Sequence, residues 1–275
     1  MMEAPYRRPI GIFDSGIGGV TIAKAIADQM PRESIIYFGD TLHLPYGEKS
    51  KPTIIKYSQR ITDFLIQEEV KMIVIACNTA SVYAYEALRN RCQQRGIPCL
   101  NVIDPVVQQV RSDPAINQIG VIGTRATIAS AAYQEKITLG NGSKKVIGLA
   151  TPLLAPMVEE GIYGQELSRQ VVRFYLSKRE LQSIDSLILG CTHYPLLVED
   201  IAHYYQGRVK LLDVPRIVAL QAENLLRSKG IQNINHKYFP NKWYVSEHTP
   251  MFEKNASMFF GDTIQVRVLP SITVD

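Results

Sequence analysis

Two cysteines stand where a thiol can do chemistry. Cys77 lies in "MIVIACNTAS" (72–81) and Cys191 in "LILGCTHYPLL" (187–197). In each, an apolar run ends at the thiol and hydrogen-bonding residues follow at once: Asn78 and Thr79 after the first, Thr192 and His193 after the second. A cysteine at the start of a helix, or close to one, has its pKa lowered from about 8.5 toward the thiolate. A single buried cysteine is more often a packing residue. A matched pair with polar successors argues for function.

Several chemistries are open to such a pair. Inverting a stereocentre by proton transfer needs one base on each face of a carbon, and two thiols with pKa values near neutrality meet that need. A cysteine nucleophile with His193 as its base would serve a hydrolase or transferase, but leaves Cys77 without a task. Cys77, Cys191, His193 and Asp14 are metal-ligand types, yet C-x-H is an unusual spacing for one metal ion, and no metal is expected. A two-domain amino-acid binding protein would need none of this reactivity. The two-base reading is preferred because it uses both cysteines.

A third motif is "FDSGIGG" (13–19). It is neither a dinucleotide fingerprint nor a P-loop, and Asp14 would repel a phosphate. The expectation is a carboxylate held at a strand end, with nearby backbone N–H groups left to bind a substrate carboxylate.

Composition narrows the field. The chain has 275 residues, 46% hydrophobic and 20% charged, with a formal charge of +4 and no basic run. That suits a globular protein with a small-molecule substrate and gives no nucleic-acid face. No segment approaches the roughly 18 apolar residues of a membrane span, and no secretory signal is read at the N-terminus. A cytoplasmic protein is expected. The remaining cysteines, Cys92 and Cys99, form no C-x-x-C pair and are read as packing residues.

The elements that must position these residues alternate. Strands are expected at 10–14, 34–40, 71–77, 99–104, 118–123, 145–150, 186–191 and 209–213, with amphipathic segments between them. The clearest helix carries Ile54, Tyr57, Ile61, Phe64 and Leu65 on one face, with Ser50 as N-cap and Pro52 in the first turn. Apolar strands alternating with helices predict a mostly parallel, doubly wound α/β fold. Ligands bind outside the carboxyl ends of such strands, where Asp14, Asp40, Cys77 and Cys191 all fall. "IGIFDSGIGGVTIAKAI" (10–26) resembles "IGVIGTRATIASAAY" (119–133) at an offset of 109, and the cysteine strands repeat at 114. Two similar α/β domains are therefore expected: 1–100 plus 213–275 with Cys77, and 101–212 with Cys191. The active site is expected in the cleft between them.

"GIFDSGIGG" (11–19), "YFGDTLHLPYG" (37–47), "VIACNTAS" (74–81), "IGVIGTRATIAS" (119–130), "LGCTHYPLL" (189–197) and "WYVSEHTPMF" (243–252) together resemble the glutamate racemases of the aspartate/glutamate racemase family. The resemblance implies cofactor-independent interconversion of L- and D-glutamate, supplying D-glutamate for peptidoglycan. It implies that Cys77 acts on D-glutamate and Cys191 on L-glutamate, assisted by Asp14 and His193 respectively. It places Asp40 and Glu159 at the site, and makes Asp14-Ser15, Pro45-Tyr46-Gly47, Asn78-Thr79 and Thr192-His193 substrate contacts. A homodimer is the expected assembly. Departures are His43, where many members carry Arg or Asn, "NVIDPVVQ" (101–108) and "LLDVPRIVA" (211–219). A related racemase acting on aspartate, or a cysteine hydrolase, stays open as the alternative.

Overall fold

A computed structural model describes residues 4–139, 143–235, 239–260 and 264–269. Ten strands are formed among them: β1 (Ile10–Asp14), β2 (Ile35–Gly39), β3 (Met72–Ile75), β4 (Cys99–Asn101), β5 (Gln118–Gly123), β6 (Lys145–Ala150), β7 (Ser186–Gly190), β8 (Lys210–Leu211), β9 (Lys242–Val245) and β10 (Val266–Val268). Helices or helical turns join nearly all of them, giving the mixed α/β class with parallel pairing throughout. The chain divides into a first unit, Met1–Val102 with Pro215–Asp275, and a second, Ile103–Val214.

The first unit holds a six-stranded sheet in the order β10-β9-β2-β1-β3-β4. Every residue of β1, β2 and β3 is buried, as continuous apolar runs require when both faces of a sheet are covered. The helix Lys51–Gln67 begins as its sequence asks: Ser50 Oγ accepts the Thr53 N–H at 3.4 Å, and a proline occupies the first turn. Its buried face is Ile54, Ser58, Ile61, Thr62 and Leu65. Tyr57 and Phe64 are only half-buried, because they turn aside to stack on His43 and against Phe38 and Tyr244.

The second unit holds a four-stranded sheet in the order β6-β5-β7-β8. This repeats the order β2-β1-β3-β4 strand for strand. The registers agree as well. Ile10 pairs with Met72 in the first unit, and Ile119 with Ser186 in the second, which are the positions that offsets of 109 and 114 connect. The internal repeat in the sequence is thus a repeat of topology and register.

Strand ends are shorter than the apolar runs. β3 stops at Ile75 and β7 at Gly190, so each thiol lies just beyond its strand. The expected strand 99–104 ends at Asn101, since Asp104 and Pro105 fall in the first turn of a helix, Ile103–Ser112, where both residue types are favoured.

At the far end of the first sheet, Lys71 and Glu33 form a buried ion pair at 2.5 Å. Lys71 Nζ also donates to the carbonyls of Tyr6 and Ile231, and Glu33 accepts the Asn233 N–H. Four separated stretches of chain are tied at one point.

Candidate functional site

In the first unit, Asp14 ends β1, and Asp40 and Cys77 lie just beyond the ends of β2 and β3, all at the carboxyl edge of the sheet. The Asp40 N–H donates to the Asp14 carbonyl at 3.0 Å, and the Ala76 N–H to the Phe13 carbonyl at 2.9 Å, so backbone bonds hold the three loops in register. Asp14 is fully buried, and its Oδ2 accepts the N–H groups of Gly16 at 3.2 Å and Gly19 at 2.9 Å. This corrects one expectation. Those two amides of the glycine turn are taken by Asp14 itself, because the chain curls back over the side chain. The curl needs Gly19: a Cβ there would lie 2.4 Å from the Asp14 Cβ and 2.7 Å from the Tyr37 hydroxyl.

Cys77 caps the helix Asn78–Tyr83, its Sγ accepting the Ala80 N–H at 3.5 Å. Sγ also lies 3.6 Å from Ser15 Oγ. An amide donor and a helix N-terminus both favour negative charge on the sulfur. Asn78 and Thr79, in the first turn, are buried beside it.

Tyr46 donates from its hydroxyl to Asp40 Oδ2 at 2.6 Å. Burial first, then the charges of Asp40, Cys77 and Asp14, push its pKa well above the usual phenol value, so it stays a neutral donor. Pro45, joined to Leu44 by a cis peptide bond, is exposed and Gly47 half-buried. Asp40 itself is fully buried, with Tyr46 on one oxygen and His43 and Ser246 on the other.

In the second unit, Cys191 follows β7 and is buried together with Thr192 and His193. Unlike Cys77 it caps no α-helix. A 3-10 turn, Tyr194–Leu197, opens after it, and its partner is a side chain: His193 Nδ1 lies 3.5 Å from Cys191 Sγ. His193 Nε2 is hydrogen-bonded to Glu159, the last residue of the helix Leu154–Glu159. Burial would lower the His193 pKa. The charges of Glu159 and Cys191 outweigh it, and the imidazole is held well above its ordinary value. Cys191, His193 and Glu159 therefore form a continuous line of proton-carrying groups.

The two clusters are built on equivalent strands yet differ chemically. Gly123 stands where Asp14 stands in the first unit, and Thr151 where Asp40 stands. The Thr151 N–H donates to the Gly123 carbonyl at 2.9 Å, repeating the Asp40–Asp14 bond. Thr151 Oγ1 meets the Tyr194 hydroxyl at 2.7 Å, as Asp40 meets Tyr46. With no carboxylate at the β5 end, the second unit takes its acid from Glu159, a helix away.

Each unit thus gathers its own expected residues: Asp14, Ser15, Asp40, Tyr46, Cys77, Asn78 and Thr79 in the first, Glu159, Cys191, Thr192 and His193 in the second. Sequence reasoning missed Ser246, Thr151 and Tyr194, and noted His43 only as a departure. The other two cysteines lie in the first unit's core, Cys92 buried and Cys99 half-buried, as packing residues would. A hydrogen bond with Cys92, together with burial, pushes the Cys99 thiol pKa up. Among the described residues no group of three or more His, Cys, Asp and Glu is placed to hold a metal ion, and no helix is long and apolar enough to cross a membrane.

Known proteins are similar to this chain in sequence and fold. The profile of the Asp/Glu/Hydantoin racemase family matches residues 20–222. A glutamate racemase of Geobacter metallireducens is 43% identical over 260 residues, covering 92% of this chain and 93% of its own. One from Aquifex aeolicus is 37% identical, covering 96% and 99%. The crystal structure of glutamate racemase from Francisella tularensis subsp. tularensis SCHU S4 in complex with D-glutamate superposes with a TM-score of 0.87 at 38% identity, covering 96% of this chain and 98% of that one.

Proposed function

We propose that this chain, which belongs to the Asp/Glu/Hydantoin racemase family, interconverts L- and D-glutamate by proton transfer between two cysteines. The observation that carries the mechanism is the repeat. Each unit presents one buried cysteine just beyond the carboxyl end of the equivalent strand of an equivalent parallel sheet, each with its own polar partners. Proton transfer to and from the two faces of one carbon explains why the thiol is duplicated.

In this mechanism one thiolate removes the α-proton, the electron pair passes into the α-carboxylate, and the other thiol delivers a proton to the opposite face. Cys77 acts on D-glutamate and Cys191 on L-glutamate. Asp14 assists Cys77, and His193, backed by Glu159, assists Cys191. Hydroxyl, amide and backbone donors at Ser15, Asn78, Thr79 and Thr192 hold the α-carboxylate and stabilise the charge that develops on it. The Pro45-Tyr46-Gly47 turn contributes to the substrate contacts; the amides that open a helical turn have no acceptor within it. The chemistry itself calls for no cofactor. The enzyme would act in the cytoplasm, as a homodimer, to supply D-glutamate for peptidoglycan; light scattering at twice the chain mass would support the assembly.

The line Cys191–His193–Glu159 favours one second reading, a cysteine hydrolase. It differs in needing only Cys191, so Cys77→Ala would leave hydrolysis intact.

The test is incubation with L-glutamate in D2O without added cofactor, following optical rotation and the α-proton NMR signal. Loss of rotation with deuterium entering the α-position is expected. Exchange of aspartate but not glutamate would move the substrate, and no exchange with any amino acid would remove the racemase reading.

A further inference from the structure

A fully buried carboxylate is tolerated only when donors satisfy it. Asp40 has three, two from the loop that follows it and one from the residue after β9. His43 Nδ1 and Ser246 Oγ each lie 2.8 Å from Oδ1, and the Tyr46 hydroxyl lies 2.6 Å from Oδ2. Ser246 is itself fixed, its N–H donating to the Gly39 carbonyl at 3.0 Å and its Oγ accepting the Leu42 N–H at 2.8 Å. His43 stacks on Tyr57 of the helix Lys51–Gln67, ring centroids 3.9 Å apart and planes 28° apart. The imidazole therefore joins that helix to Asp40, and Asp40 joins it to Tyr46.

Both oxygens of Asp40 are engaged and none of its surface is exposed, so its effect on a substrate has to pass through its partners. Tyr46 is the partner within the Pro45-Tyr46-Gly47 turn. We propose that His43 is a positioning residue of the racemase site: through Asp40 it fixes Tyr46, and with it the turn that contacts substrate. The inference rests on the proposed racemase activity and extends it to a residue outside the expected contacts. A residue acting this way sets the geometry of binding, so its loss raises KM more than it lowers kcat.

Two variants separate the donor from the stack. His43→Phe keeps an aromatic ring against Tyr57 and removes the donor to Asp40; His43→Asn keeps an amide donor and removes the stack. Ser246→Ala removes the neighbouring donor and serves if His43→Phe does not fold. The parent protein is assayed first with L- and D-glutamate, and folding of each variant is checked by circular dichroism. A KM raised about fivefold or more in His43→Phe, with kcat within about twofold and His43→Asn near the parent, is the expected result. Ser246→Ala is expected to raise KM in the same direction. Parental KM in folded His43→Phe, or in Ser246→Ala where that variant stands in for it, overturns the proposal. So does an equal rise in His43→Phe and His43→Asn, which would assign the effect to the stack. A parent that does not racemise glutamate overturns the underlying function instead, and the first assay reveals that separately.

Discussion

His193 is hydrogen-bonded through Nε2 to Glu159, and this contact determines that Nδ1 is the ring nitrogen facing Cys191. A buried imidazole would ordinarily lose its proton. Here the carboxylate on one side and the sulfur on the other hold it, so a cation persists beside Cys191 at pH values where a free histidine is neutral.

Replacing Glu159 with Gln keeps the shape and removes the charge. The His193 pKa is expected to fall toward or below the ordinary value of about 6.5, as burial is then opposed by Cys191 alone. A raised folded-state pKa contributes stability that is fully present below about pH 6.5 and lost as pH rises through the folded value. The gap in urea midpoint between parent and Glu159→Gln should therefore close over that upper range. An imidazole NMR titration unchanged by the substitution would refute the assignment.

The two thiols predict a divided phenotype. With Cys77 replaced by Ala, Cys191 can still take a proton from L-glutamate and return a solvent deuteron to the same face. Deuterium should enter L-glutamate while optical rotation stays constant, and D-glutamate should not exchange. Cys191→Ala should show the mirror image. Full racemisation by either variant would end the two-base mechanism.

Much of this is legible in the sequence, for definite reasons. The strands leading to Asp14, Cys77 and Cys191 are buried on both faces, so they read as continuous apolar runs. Their repetition at offsets of 109 and 114 suggested two similar domains, and the two sheets share that register. What the sequence concealed depends on distant pairing. β9 is a four-residue strand whose partner Ile36 is some two hundred residues away, and nothing local marks Ser246 at its end as a donor to Asp40. The glycine turn misled for the opposite reason. Its composition is plain, but whether its amides point outward or back to Asp14 is settled by backbone curvature. Thr151 and Tyr194 are ordinary residues whose contact arises from tertiary packing.

Gly19 supplies a test of that curvature. Its added Cβ would overlap Asp14, so Gly19→Ala must move the carboxylate or the turn. Overpacking of this kind costs about 1–3 kcal/mol. Catalysis should suffer more than stability, because Asp14 loses its fixed position beside Cys77. Turnover assayed on protein shown to be folded should fall by about tenfold or more, since a small misplacement of a catalytic group is costly. Parental turnover would show that Asp14 tolerates the displacement.

Lys71→Met tests the opposite end of the first sheet. The substitution leaves Glu33 buried without its cation, although the Asn233 N–H remains. Breaking a buried pair by removing one partner costs about 3–5 kcal/mol, whereas replacing both partners with apolar residues can be near neutral. Lys71→Met should therefore unfold at much lower urea concentration, and Lys71→Met with Glu33→Leu should recover much of the loss. The pH dependence has a definite sign. Burial raises the Glu33 pKa already, and removing Lys71 takes away its strongest nearby charge, so the folded variant favours the protonated acid. Its stability should improve as pH falls through that raised value toward the unfolded glutamate pKa of about 4.3, narrowing the gap to the parent. Turnover per folded molecule should not change, since the pair lies at the strand ends opposite Cys77. A double variant no more stable than the single one would mean that the carbonyl contacts of Lys71, and not its charge pairing, hold this junction together.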